Sequence, residues 1–393
     1  MSKIKYFFLT LFFLAIIDLA SNNILKKYTD IELGYSSYCS DEYTLYGYCE
    51  NSTHYSYLKE KNIKKKITTY INQYKIAYDP SKEKINPSEA ALIILGDSFI
   101  QADEIKINKR IGSMFRDQMI KAIEIGYGSW NPYQYEKILE KYSFDQKSTF
   151  LVFLMINDFM PSYVHGYTNT VNSKDSFYRR AAKQKTFIEK FKFKFKNILK
   201  NNSLTVNILN KLRIKIKQNI YTKDLLKNKL IISESQDESN YDDCSLIKSN
   251  LDKEFKDQFD YLVFSKNPDC WPKNYIKEVN ETILSIKRFE KKLKKDQKAI
   301  FFLVPGGWAL KNENTEGKAK IFYDIKMDTS ITQKGLGSYL KNNLENFYDL
   351  EPVFLEIKLK HKDKNSLYFA SNGHWRIAAH KELYKWLNRK IEF

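Results

Sequence analysis

Four short, mostly apolar runs constrain this chain more than any other feature: residues 91–95, 122–125, 149–154 and 299–304. Runs of this length that lack regular polar alternation suit strands buried on both faces, as a parallel sheet requires. Helical spacing fills residues 111–120 and 132–141, and a long charged helix is expected over 273–295. Strands alternating with helices predict an α/β fold, a three-layer α/β/α doubly wound parallel sheet of flavodoxin-like kind. In such sheets ligands bind beyond the C-terminal ends of the strands. More than a hundred residues separate the third and fourth runs, far beyond the needs of a crossover, so a large insertion is expected at about 165–270.

The N-terminus carries Lys3 and Lys5, an apolar run over 6–17 and then Asp18, an export signal of some type. Asp18 would sit third from a bond cut after Ala20, where a small residue is wanted, so the expectation is an uncleaved signal anchor over 1–25, a single transmembrane helix. A cleaved signal peptide stays open. Residues 26–88, polar and rich in Tyr, read as a membrane-proximal stalk packing on a main domain over 89–393, with a short helix or strand near 67–78. Four cysteines, Cys39 and Cys49, Cys244 and Cys270, show no CxxC spacing for zinc or thioredoxin chemistry. Two local disulfides in an oxidising compartment are the simplest account. The implied address is a bacterial inner membrane, with the domain in the periplasm or otherwise on the extracytoplasmic face.

The net charge of +18 invites a nucleic-acid or anionic-membrane partner. Lys, Asn, Ile, Phe and Tyr are all abundant, so compositional drift on a solvated surface explains part of it equally well. Twelve of the eighteen excess charges sit in residues 183–229, where Phe187, Phe191 and Phe195 recur at helical spacing among lysines. That segment reads either as a surface for anionic lipid or acidic glycan, or as an aromatic seam facing a core with lysines outside. Nucleic acid is disfavoured by the export signal and by the lack of any reader motif.

Chemistry-bearing residues follow the strands in order. The first run ends in Gly96-Asp97-Ser98, with Ser98 on the turn where nucleophiles of α/β enzymes sit. After the second come Gly126, Gly128, Trp130 and Tyr133, after the third Asn157 and Asp158, and near the C-terminus Asn372, Gly373, His374 and Trp375. His374 and His380 lie six apart, on different faces of a helix, which argues against a zinc pair; no metal or other cofactor is expected.

These four blocks resemble the SGNH (GDSL-type) hydrolase superfamily, most closely its membrane-anchored alginate O-acetyltransferase-type branch, over residues 90–160 and 298–390. The resemblance implies an acyl-ester hydrolase or O-acyltransferase on a cell-envelope glycan, with Ser98 as nucleophile and His374 as general base. Ser98 N–H, Gly128 N–H and the Asn157 amide would form the oxyanion hole, with Gly126 an alternative to Gly128. Departures from the family are Met155 for a glycine, Glu124 for an Asn, and Ser371 and Asn372 where an Asp usually precedes the His. Three outcomes follow: a dyad whose ring is held by Asn372 or a carbonyl, a carboxylate borrowed from elsewhere with Asp363 nearest in sequence, or a degenerate module that binds glycan or lipid without turnover. Trp130, Tyr133, Trp308 and Trp375 fall near the expected site, as sugar platforms or as core.

Overall fold

The computed structural model describes residues 38–60, 63–160, 244, 263–307, 333–361, 367–369 and 373–391. The anchor over 1–25, the basic stretch 183–229 and Trp308, Asp363, Ser371 and Asn372 lie outside the described residues, as does nearly all of the insertion. Among the described residues no helix is long and apolar enough to cross a membrane.

Residues once read as a stalk form two antiparallel ribbons. Strands β1 (Tyr38–Asp41) and β2 (Leu45–Tyr48) make a hairpin, with Cys39 bonded to Cys49 just beyond it. Strands β3 (Thr53–Glu60), β4 (Ile63–Ile71) and β5 (Ala77–Tyr78) make a second sheet. The second cysteine pair, Cys244 with Cys270, is bonded as well.

The main sheet holds β6 (Leu92–Gly96), β7 (Ala122–Gly126), β8 (Thr149–Met155), β9 (Lys298–Val304) and β10 (Phe347–Asp349), all parallel, in the order β10-β9-β8-β6-β7. Counted in chain order within this sheet, that is 2-1-3-4-5, whose reversal between β6 and β8 opens a crevice at their C-terminal ends. The parallel α/β sheet agrees with the expectation from the apolar runs. The short β10 has no apolar run, being an edge strand only partly buried, and left no signal of its own.

The helices are α1 (Ser98–Gln101), α2 (Ile111–Asp117), α3 (Pro132–Lys141), α4 (Lys273–Lys292), α5 (Lys334–Asn343), α6 (Glu351–Lys360) and α7 (Ile377–Lys390). On one face of the sheet Leu92, Ile94, Leu151, Phe153 and Phe302 bury against Phe115 of α2, Phe354 of α6 and Leu383 and Leu387 of α7. On the other face Phe289 of α4 meets Phe150 and Phe301 edge-on, at 5.6 and 6.2 Å. Both faces are therefore covered, which is why β6, β7 and β8 are buried at every position and read as runs. The one acid in those runs, Glu124, accepts on Oε1 from the Gly112 N–H at 2.7 Å while its buried Oε2 has no hydrogen-bond partner, and burial pushes its pKa up.

The tyrosines of the ribbons act as straps. Tyr46 donates to the Gly128 carbonyl at 2.8 Å, Tyr48 to Asp103 Oδ1 at 2.8 Å, and from the sheet side Tyr127 donates to the Lys75 carbonyl at 2.7 Å. Asp41, at the β1–β2 turn, pairs with Lys75 at 3.0 Å and with Lys141 of α3 at 2.5 Å. Burial alone would raise the Asp41 pKa; the charge and hydrogen bond of Lys141 hold it well below the ordinary carboxylate range.

Candidate functional site

Ser98 opens α1 at the C-terminal end of β6. Asp97 caps that helix, its Oδ1 accepting from the Phe99 N–H at 2.9 Å. The turn fits because Gly96 and Gly126 are register partners beneath α1. A Cβ on Gly126 would lie 2.8 Å from Ile100 Cβ and 2.9 Å from the Gln101 backbone nitrogen. Gly126→Ala is therefore expected to cost about 1–3 kcal/mol of stability, read as a lower Tm in thermal unfolding, because backbone must move. An unchanged Tm would refute this account of the turn.

After one helical turn Ala102 adopts the left-handed region at φ 45°, ψ 47°, ending α1 and leading the chain into Asp103 and Glu104. His374 arrives from the other end of the sequence on a short strap. The Phe369 N–H donates to the His374 carbonyl at 2.8 Å, the Arg376 N–H to the Leu367 carbonyl at 2.7 Å, and Tyr368 pairs with Trp375 as a β-bridge. Tyr368 ties the strap to the sheet by donating its hydroxyl to the Pro305 carbonyl, one residue past β9, at 2.7 Å. Trp375 locks it from below, edge-on to Phe99 at 5.3 Å and stacked on Phe354 at 5.4 Å.

The imidazole of His374 packs edge-on to Phe99, the neighbour of Ser98, at 5.3 Å, and its Nδ1 lies 2.9 Å from Glu104 Oε1. A carboxylate oxygen accepts, so the proton of this contact sits on Nδ1. Burial by itself would lower the His374 pKa; the Glu104 charge and hydrogen bond, with smaller help from Asp97 and Asp103, raise it above the ordinary imidazole value of 6.5. The carboxylate facing this ring is Glu104, 270 residues away in sequence; Asp363, the nearest acid along the chain, lies outside the described residues.

Asn157 follows β8 on a 3-10 turn, Ile156–Phe159, and donates Nδ2 to Asp97 Oδ2 at 3.3 Å. An amide nitrogen carries two protons, so one is spent here and the second can serve an oxyanion. The Ser98 hydroxyl also turns to Asp97 Oδ2, at 3.5 Å. Gly128 is committed on both sides: its N–H donates to Gln101 Oε1 at 2.7 Å and its carbonyl accepts from Tyr46. Its N–H can reach an oxyanion only if Gln101 lets go. Asp158, behind Asn157, accepts from the Met155 N–H at 2.9 Å, and burial with the nearby Asp97 charge pushes its pKa far up.

No protein-family model matches this chain, and no curated protein matches it. The site therefore stands on its own geometry. Ser98 and Asn157 meet at Asp97 Oδ2, His374 packs on Phe99 beside Ser98, and Glu104, for which the sequence held no signal beyond an acid shortly after Ser98, faces the His374 ring. Trp130 and Trp375, each 1% exposed, are core residues, the second of the two readings their sequence positions allowed. Among the described residues no group of three or more His, Cys, Asp or Glu is arranged to hold a metal ion. His380 is fully buried against Trp375, and burial lowers its pKa to about 3, so it is neutral.

Proposed function

We propose that the chain is an acyl-transfer enzyme of the SGNH type, working through an acyl-Ser98 intermediate with a Ser98–His374–Glu104 triad. The observation that carries this is the 2.9 Å contact between His374 Nδ1 and Glu104 beside the Ser98 turn. Ser98 Oγ attacks the ester carbonyl carbon and its proton passes to His374 Nε2. The oxyanion so formed takes hydrogen bonds from the Ser98 N–H and the second Asn157 amide proton. His374 then protonates the leaving alkoxide as the C–O bond breaks, leaving acyl-Ser98. Water or a sugar hydroxyl then attacks the acyl carbon and gives its proton to His374, which passes it to Ser98 Oγ as the acyl–oxygen bond breaks. Water as acceptor makes the protein an esterase, a sugar hydroxyl an O-acyltransferase. An acylated envelope glycan is the substrate class implied by the resemblance, and the two bonded cysteine pairs support an oxidising, extracytoplasmic address.

A second reading is a degenerate module that binds glycan without turnover. It is favoured by the commitment of the Gly128 N–H to Gln101 and of the Ser98 hydroxyl to Asp97.

Fluorophosphonate labelling of the full chain separates the two. The triad predicts labelling at Ser98 that is lost in Ser98→Ala and His374→Ala. Its rate should climb as pH rises through a value above the ordinary imidazole pKa, because the base works only when neutral and Glu104 favours its charged form. A chain that takes up no probe at any pH would leave only the binding module.

A further inference from the structure

Glu104 can hold His374 only if the turn that carries it is held, and the ties on that turn come from the N-terminal ribbons. Asp103, its immediate neighbour, takes three of them: Tyr48 donates to Oδ1 at 2.8 Å, His54 Nε2 lies 3.0 Å from Oδ2, and the Ser56 hydroxyl donates to the backbone carbonyl. Arg110, 1% exposed, adds a fourth by bridging the Ile105 carbonyl at 3.1 Å to Thr69 Oγ1 of β4 at 3.3 Å. The same Tyr48 oxygen accepts from Gln101 Nε2 at 3.2 Å, and Gln101 in turn accepts from the Gly128 N–H. Tyr48 thus touches both the acid-bearing turn and the loop after β7. His54 and Tyr48 also pack ring to ring at 5.2 Å, and Tyr48 packs on Tyr127 at 4.6 Å, all three rings buried.

We propose that Tyr48 and His54 are positioning residues of the Ser98 site, acting through Asp103 to keep the Glu104 carboxylate on His374 Nδ1. The proposal rests on the triad reading for its effect on catalysis, but its geometric content does not. The N-terminal ribbons then complete the acid arm of the site, in a chain that has Asn372 at the position where its resembled family carries that acid.

The test uses the full chain and three variants that remove no negative charge: Tyr48→Phe, His54→Leu and Ser56→Ala, with His54→Gln as the conservative replacement that can still donate to Asp103. The first readout is the titration of the His374 ring by NMR, assigned with His374→Gln. The charged groups around that ring are Glu104 and Asp103 on the turn, Asp97 at the α1 cap, and Arg376, whose guanidinium is turned to the Tyr368 carbonyl and the Phe369 ring. Loosening Glu104 lowers the midpoint of His374, because the Glu104 charge and hydrogen bond are what raise it. The second readout is the rate of fluorophosphonate labelling, expected to fall about tenfold to a hundredfold in Tyr48→Phe and His54→Leu, the cost of misplacing a catalytic group by an ångström. His54→Gln should recover most of both effects.

A His374 midpoint that stays at the parent value in Tyr48→Phe and Ser56→Ala, with folded spectra, would overturn the proposal. Absence of labelling in the parent chain would instead sink the triad reading, and the NMR titration would still decide whether the ribbons hold Glu104.

Discussion

Glu104→Gln is expected to lower turnover of an ester substrate about 10⁴-fold with the fold intact, the loss produced when the acid of a Ser-His-acid triad becomes an amide. Two effects combine. An amide that turns its nitrogen to His374 Nδ1 selects the ring tautomer with its proton on Nε2, where it cannot accept from Ser98. An amide that turns its oxygen keeps the tautomer but leaves the imidazolium of the transition state without a counter-charge. The pH profile gives an independent check. Glu104 is the first of the groups that raise the His374 pKa against its burial, so the acid limb of kcat/KM should move to lower pH in the variant while the plateau drops. Stability follows the same linkage. A histidine whose folded-state pKa is raised contributes stability that is present below its unfolded value and lost as pH rises through the folded one. In Glu104→Gln that increment should shrink, so the variant should melt lower than the parent in acid and close to it in alkali. Turnover within a few-fold of the parent would show that Glu104 is not the acid of the site.

Ser98→Ala should be the most severe single change, about 10⁶-fold in kcat, since without the hydroxyl no acyl-enzyme forms and only binding and the oxyanion donors remain. His374→Ala should fall nearly as far. The double variant should be no worse than either single one, because the two residues act as one unit and their losses do not add. Multiplicative losses would mean that Ser98 and His374 act separately, which the shared edge of β6, the packing of Phe99 on the His374 ring and the common Asp97 neighbour argue against. The measurement is a pre-steady-state burst with an activated acetate ester, which also reports whether acyl-Ser98 accumulates. A Ser98→Ala chain that still shows the burst would place the nucleophile elsewhere.

Much of the architecture was legible because burial on both faces leaves a local trace. Residues 149–154 could be read as a strand since nothing solvates either side of β8, and residues 132–141 as a helix from their spacing; the structure adds a capping box, Asn131 Oδ1 accepting from the Tyr133 N–H at 3.0 Å and Gln134 Oε1 from the Asn131 N–H at 3.0 Å. Ser98 was legible for a similar reason, because a strand ending in Gly96 before a capping Asp97 announces its own turn. The cysteine pairs are short-range too, ten and twenty-six residues apart.

Glu104 was not legible. Nothing around it distinguishes it from the other acids of the chain, and its meaning arises only when a strap 270 residues away brings His374 to it. The tyrosine-rich segment after residue 37 is the same case. Its composition suggested a stalk packing on the main domain but not how: its hydroxyls are spent on carbonyls and carboxylates of the main sheet's loops, partners that exist only once both are folded. By itself the sequence determined four of the five strands of the main sheet, the helices between them and the residues at those strand ends, since these follow from periodicity within a few residues. Only the tertiary structure decided which acid faces the histidine and what holds it there, since a long-range hydrogen bond has no local pattern to betray it.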